Sequence, residues 1–225
     1  MCYSQEVQLT TAILLFLFAI FFYFYYTKKY SKKWLKSFLH NIVITFALIG
    51  GHQLFEYLSL ITQNQIIYKV GLIFSVSAIY FGLRAFEILV NKNLRSKLFM
   101  LAIIGVSIWI LITPMAFESF SFYVRHYSPY LWSGLWFVFL IYLHLVAFSS
   151  RNEIKDVHSK KTILLFLIAM VDISVILSVA YATYGYFFLK VDICHDLASI
   201  WCTFFVVQAL AIPFFLSALP AMFKR

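Results

Sequence analysis

The chain has 225 residues, of which 63% are hydrophobic and only 12% are charged, and it carries a net charge of +9. A soluble domain carries about 25% charged residues, so this composition excludes an ordinary soluble enzyme or signalling domain. The mean hydropathy of +0.88 predicts an integral membrane protein.

Seven apolar stretches follow one another along the chain, and each is long enough to cross a bilayer as a helix, which takes roughly 20 residues. They are continuously apolar rather than alternating, which favours helices over a membrane barrel. The sequence therefore predicts an all-α fold, a single seven-helix transmembrane domain over residues 1–225. The approximate helices are 8–26, 38–60, 66–90, 98–117, 130–148, 162–186 and 197–219.

The first stretch lacks a basic leading region and a small-residue cleavage site, which predicts a spanning helix rather than a cleaved signal. Most of the 18 lysines and arginines fall in alternate loops and at the C-terminus, whereas Lys69, Arg125 and Lys190 fall on the opposite side. This bias predicts an external N-terminus and a cytoplasmic C-terminus in the cell membrane. Contact with anionic lipid head groups then explains the positive charge, and no nucleic-acid partner is expected.

Three polar residues, His52, Gln53 and Glu56, interrupt the apolar run of the second helix. Ionisable residues at membrane depth are candidates for a functional site. A spacing of four places His52 and Glu56 on one helical face, about 12 Å and 6 Å below the outer boundary. Gly50 and Gly51, just beneath, allow a helix or a ligand to approach closely. The cluster is either a ligand, metal or proton site, or a set of hydrogen bonds that ties helices together.

Other polar residues lie in helices three, six and seven. Asp172 falls about 15 Å from the cytoplasmic end of helix six, and Gln208 in helix seven is at a similar depth and is a candidate hydrogen-bond partner. A carboxyl group there is expected to be protonated or paired. Arg84 and Glu87 are three residues apart near the inner end of helix three, which predicts an intrahelical ion pair.

A haem bound between two histidines is a further candidate. His40 and His144 fall near the cytoplasmic ends of helices two and five, and His52 with His195 or His126 would form an outer pair. However, His40 and His52 are about 120° apart around the helix, and the chain has no Cys-x-x-Cys-His motif. The sequence therefore disfavours haem.

All three cysteines map to the extracytoplasmic side, where disulfides persist. Cys194 and Cys202 would be about 12 Å apart on a helix, beyond the reach of a disulfide. A disulfide would therefore involve Cys2, with Cys202 as the candidate partner. The alternative is a zinc or copper site formed by Cys2, Cys202, His52 and Glu56, since thiolate and imidazole suit these metals.

Three short motifs occur in order along most of the chain: Met1-Cys2-Tyr3-Ser4, Gly51-His52-Gln53-x-x-Glu56 and Ser199-Ile200-Trp201-Cys202. Together they resemble a family of uncharacterised bacterial multi-pass membrane proteins. Its members begin Met-Cys-Phe-Ser, carry Gln-Gln-x-x-Glu-Gly in helix two and end with a Ser-x-Trp-Cys helix. This chain has His52 and Tyr57 where the family has Gln and Gly. The resemblance implies an integral membrane protein without a known activity, and it singles out Cys2, Ser4, Gln53, Glu56, Trp201 and Cys202.

Three functions remain open at this point. In a binding or transport bundle, Gln53 and Glu56 orient a small ligand, ion or proton, and Asp172 and Gln208 continue the polar path. In an intramembrane enzyme or redox protein, Glu56 acts as acid or base beside a cysteine nucleophile or metal ligand; no catalytic residue is assigned. In a structural or partner protein, the polar groups only fix helix packing. The sequence favours the first.

Overall fold

The computed structural model describes residues 5–29, 33–91, 96–113, 128–150, 160, 162–169, 172 and 176. Apart from short connections, these residues are helical. The five helices are α1 (Gln5–Lys29), α2 (Lys33–Thr62), α3 (Gln65–Val90), α4 (Ser96–Ile112) and α5 (Ser128–Ser150). Residues 162–169, 172 and 176 are helical as well.

Three of these helices are long and apolar enough to cross a membrane: α1 through Gln8–Tyr25, α2 and α3. The helix α4 and the Gly134–Ser150 part of α5 are also apolar but shorter. Large apolar side chains point outward, as expected of a surface that contacts lipid rather than water. Examples are Leu17, Phe24, Leu101, Ile108, Phe137 and Leu145. The all-helical prediction is thus confirmed for the described residues, and the three candidate spans support the assignment to membrane proteins.

The first three predicted helices coincide with α1, α2 and α3, but α2 begins at Lys33 rather than at residue 38. Hydropathy marks only the apolar part of a helix, whereas the helical backbone continues through neighbouring residues that have a high helix propensity. Lys33 and Lys36 are good helix formers, and both side chains are exposed. The helix therefore extends beyond its apolar part.

The fourth helix ends earlier than predicted. It was expected to reach residue 117, but α4 ends at Ile112 and Thr113 is already non-helical. Pro114 follows, and the proline ring disfavours a helical conformation in the residue before it. This restriction accounts for the end of α4 at Ile112.

The predicted fifth helix, 130–148, lies within α5. The predicted sixth helix, 162–186, is helical wherever its residues are described. The predicted seventh helix, 197–219, and its Gln208 lie outside the described residues.

A two-residue connection turns α2 back against α3. Gln63 adopts a left-handed conformation with φ of 52°, and its Nε2 donates to the carbonyl oxygen of Leu60 at 2.7 Å. The next residue, Asn64, caps α3 by accepting a hydrogen bond from the Ile66 backbone N–H at 2.9 Å. Both hydrogen bonds satisfy backbone groups that helix ends leave without partners.

The helix α2 packs against both α1 and α3 through adjacent glycines. A Cβ atom on Gly50 would lie 3.2 Å from the Cβ of Leu15 on α1, and one on Gly51 would lie 3.2 Å from the Cδ1 of Phe74 on α3. The expectation that these glycines allow close helix approach is confirmed. The positions of α1 and α3 relative to α2 are thus set within one turn.

The helix α3 also contacts α4 and α5. The indole N–H of Trp136 on α5 donates to the Ser75 hydroxyl at 3.1 Å. The ammonium group of Lys69 donates to the carbonyl oxygen of Leu111 at 2.9 Å, near the C-terminus of α4. Lys69, which the charge distribution assigned to the outer side, thus lies within the predicted third helix and is buried. A cation at the end of a helix also interacts favourably with the helix dipole.

Replacing Lys69 with methionine is expected to lower the free energy of unfolding by about 1.5–3 kcal/mol, the usual value of a hydrogen bond to a charged group. Methionine keeps the length of the side chain but cannot donate to Leu111. Denaturant titration in detergent, followed by circular dichroism, measures the change. Lys97→Met, at an exposed position of α4, is the matched control. Equal losses in the two variants would show that the hydrogen bond to α4 adds no stability.

Candidate functional site

Two polar residues lie on the face of α1 that packs against α2. Gln8, Thr11, Ala12 and Leu15 are all nearly inaccessible to solvent. Their spacing is that of a helical stripe facing a neighbouring helix. Gln8 and Thr11 thus occupy positions where an apolar residue is expected.

On α2, the three polar residues predicted as a site share one side of the helix. At about 100° per residue, His52, Gln53 and Glu56 fall within an arc of about 100°. His52 and Gln53 are buried, and Glu56 is partly buried. The Nε2 of His52 lies 3.9 Å from the Oε2 of Glu56, so the expectation that these two side chains share a face is confirmed.

The antiparallel packing of α1 and α2 brings the two polar sets to the same level. A Cβ on Gly50 would lie 3.5 Å from the carbonyl oxygen of Ala12, which pairs these positions across the interface. One turn forward on α2 leads from Gly50 to Gln53, and one turn back on α1 leads from Ala12 to Gln8. We call Gln8, His52, Gln53 and Glu56 the α1–α2 polar cluster.

The backbone of α3 passes directly over the turn of α2 that carries this cluster. A Cβ on Gly71 would lie 3.1 Å from the Cβ of Phe55 and 3.3 Å from the carbonyl oxygen of His52. The Phe55 ring stacks on Phe74 with ring centroids 5.2 Å apart. Gly71 was not recognised from the sequence, although small residues are typical of close helix contacts in membranes. It fixes α3 against the site.

The cluster contains hydrogen-bond acceptors in excess. The Oε1 atoms of Gln8 and Gln53 are buried and have no hydrogen-bond partner in the part of the chain that the structure describes. The Glu56 carboxylate adds two more acceptor oxygens, and its 3.9 Å separation from His52 exceeds hydrogen-bond length. A buried acceptor without a partner costs about 1–3 kcal/mol. Such a set suits a ligand that supplies N–H or O–H donors or a positive charge.

A second glutamate, the buried Glu87 on α3, has an arginine as its partner. Its Oε2 pairs with the Nη1 of Arg84 at 2.5 Å, as the three-residue spacing predicted. Among the described residues, the ion-pair contact of Glu56 is with His52. The two glutamates therefore form a natural comparison between a carboxylate with an arginine partner and one without.

The predicted metal site and disulfide depend on residues outside the described ranges, because Cys2 and Cys202 both lie there. Within the described ranges, no group of three or more histidine, cysteine, aspartate or glutamate side chains is placed to hold a metal ion. Comparisons with protein-family models, with curated proteins and with solved structures found no match.

A second polar contact joins α5 to Asp172. The Nε2 of His144 pairs with the Oδ1 of Asp172, and the Nδ1 of His144 donates to the Leu140 carbonyl oxygen at 2.8 Å. The sequence suggested Gln208 as the partner of Asp172 and His144 only as a candidate haem ligand, so this pair was not predicted. Depth along the predicted helices gave no signal for this pair, because His144 falls about 6 Å and Asp172 about 15 Å from the cytoplasmic end of its helix.

Proposed function

We propose that the chain is a multi-pass protein of the cell membrane that binds a small polar ligand or cation at the α1–α2 polar cluster and carries it across the bilayer. The observation that carries the proposal is that the buried amide oxygens of Gln8 and Gln53, at the level of the Glu56 carboxylate, have no hydrogen-bond partner among the described residues. Acceptors of this kind match a protonated amine, a guanidinium, an ammonium ion or a partly hydrated metal cation.

A purely structural cluster would be built differently. In hydrocarbon, polar groups need partners within the protein, so glutamines that only tie helices together are expected to bond across the interface. Leucine at either position would fill the same space without an unsatisfied acceptor. Two such acceptors at one level on adjacent helices therefore favour a site that a ligand completes.

The proposal includes the full topology: seven helices, an external N-terminus and a cytoplasmic C-terminus in the inner or plasma membrane. The distribution of basic residues supports this orientation, which puts the cluster in the outer half of the bilayer. Lipid is the expected environment, and no nucleic acid is expected to bind. The resemblance to the family that begins Met-Cys-Phe-Ser also remains a proposal. It rests on the three short motifs of the sequence, and two of their residues, Gln53 and Glu56, belong to the cluster.

Native mass spectrometry of protein extracted in nanodiscs tests the site. We expect the wild type to carry a noncovalent mass that Glu56→Gln loses, because the amide lacks the negative charge. Glu87→Gln should retain that mass, since this carboxylate is outside the cluster and pairs with Arg84.

The other outcomes identify the alternatives. Stoichiometric zinc or copper in elemental analysis, lost in Glu56→Gln, would replace the proposal with the metal- or thiol-dependent enzyme or redox protein. A wild type without added mass, together with a merely less stable Glu56→Gln variant, would indicate a structural or partner protein.

A further inference from the structure

The His144–Asp172 pair lies on different helices from the α1–α2 polar cluster, and its hydrogen bonds determine where its protons are. The Leu140 carbonyl oxygen only accepts, so the Nδ1 of His144, at 2.8 Å, must carry a hydrogen. That leaves Nε2 as the one ring nitrogen whose proton can change. Nε2 is the atom that faces the Asp172 carboxyl group.

A hydrogen bond between Nε2 and Oδ1 requires one proton between them. Either a neutral imidazole accepts from a protonated carboxyl group, or an imidazolium donates to a carboxylate. Both forms contain the same number of protons, and they differ only in which atom holds the shared one. Without that proton, the nitrogen lone pair would face a carboxylate oxygen, and the contact would be repulsive. The proton therefore holds the two helices together at this point.

Among the described residues, the charged groups near the pair are engaged elsewhere or exposed, and the pair itself is only partly buried. In the part of the chain that the structure describes, Asp172 is the charged partner that His144 contacts. On the helices packed against α5, the described charged residues are otherwise engaged or exposed. Lys69 bonds to Leu111, Arg84 pairs with Glu87, and Lys97 is exposed.

The two side chains themselves remain 35% and 46% accessible, so the protein does not enclose the pair. A pair with one shared proton has no net charge, which suits a position within the membrane.

We propose that His144 and Asp172 form an intramembrane proton site, which takes up one proton between Nε2 and Oδ1 and releases it again. Uptake converts neutral imidazole and carboxylate into the bonded pair, and release reverses this without any change in oxidation state. The shared proton moves between nitrogen and oxygen within the bonded form. Release weakens the link between α5 and the helical segment that carries Asp172. This site does not depend on ligand binding at the α1–α2 polar cluster.

The test is a pH titration of protein labelled with ¹⁵N-histidine and followed by NMR in nanodiscs, with His144→Gln to assign the signal. We expect the protonation midpoint of the His144 Nε2 to move by about one pH unit or more in Asp172→Asn, a tenfold change in proton affinity or about 1.4 kcal/mol. Asparagine keeps the size of the side chain but cannot share the proton. His40→Gln, at an exposed position of α2, should leave the midpoint unchanged.

An unchanged midpoint in Asp172→Asn would overturn the proposal, as would a His144 Nδ1 that loses its proton within the titrated range. The other histidine signals report whether each variant retains its fold. Native mass spectrometry of the ligand site is a separate readout, so failure of the proton site and failure of the proposed function can be told apart.

Discussion

Replacing Gly71 with leucine is expected to lower the free energy of unfolding by about 3 kcal/mol, at the upper end of the usual cost of overpacking. An added Cβ would meet the Cβ of Phe55 at 3.1 Å, the carbonyl oxygen of His52 at 3.3 Å and the backbone nitrogen of Glu56 at 3.6 Å. Two of these three atoms are backbone, so no rotation of a side chain relieves the contact. The helices α2 and α3 must move apart, and the α1–α2 polar cluster is distorted as well.

The matched control is Gly105→Leu on α4, where a Cβ would have nothing within 4 Å. There the substitution only exchanges a poor helix former for a good one, which is worth up to about 1 kcal/mol in favour of the helix. Denaturant titration in mixed micelles, followed by circular dichroism, compares the two. If both leucine variants unfold at the same denaturant concentration, α3 does not approach α2 as closely as described.

Replacing the two buried glutamines with leucine is expected to stabilise the ligand-free protein while abolishing ligand retention. Each of Gln8→Leu and Gln53→Leu removes a buried acceptor that has no partner among the described residues, so the gain should be about 1–3 kcal/mol apiece. Binding sites commonly sacrifice stability in this way. Unfolding titrations without ligand measure the stability of each variant, and native mass spectrometry measures ligand retention.

Gln63→Leu provides the control for this pair. Gln63 is exposed in the turn between α2 and α3, and its amide donates to Leu60 at 2.7 Å. Its replacement should cost a little stability and leave ligand retention unchanged. A loss of stability in both Gln8→Leu and Gln53→Leu would mean that the buried amides are structural, and it would contradict the proposed site.

The helices could be predicted largely because apolar residues in lipid must form long helical segments. Within the described residues, α1, α2, α3 and α5 lie where the apolar stretches indicate. Hydropathy does not report where a helix ends, however. It missed the basic start of α2 at Lys33 and the termination of α4 before Pro114. Local conformational preferences set both ends.

The candidate site could be predicted only on one helix. The four-residue spacing placed His52 and Glu56 together, because that relation is internal to a helix. Gln8 and Gly71 belong to the neighbouring helices α1 and α3. Their positions beside α2 depend on the register between helices, which packing at Gly50 and Gly51 sets and which periodicity does not report. The same limit explains why Asp172 was not matched with His144.

Solid-supported membrane electrophysiology on reconstituted proteoliposomes tests the central claim, that the α1–α2 polar cluster binds and carries a donor-rich or cationic ligand. Concentration jumps of ammonium, guanidinium, choline and potassium serve as probes. We predict a current for at least one of them in the wild type and in Glu87→Gln, and none in Glu56→Gln. Currents no larger than those of empty liposomes for every probe, or an undiminished current in Glu56→Gln, would contradict the claim.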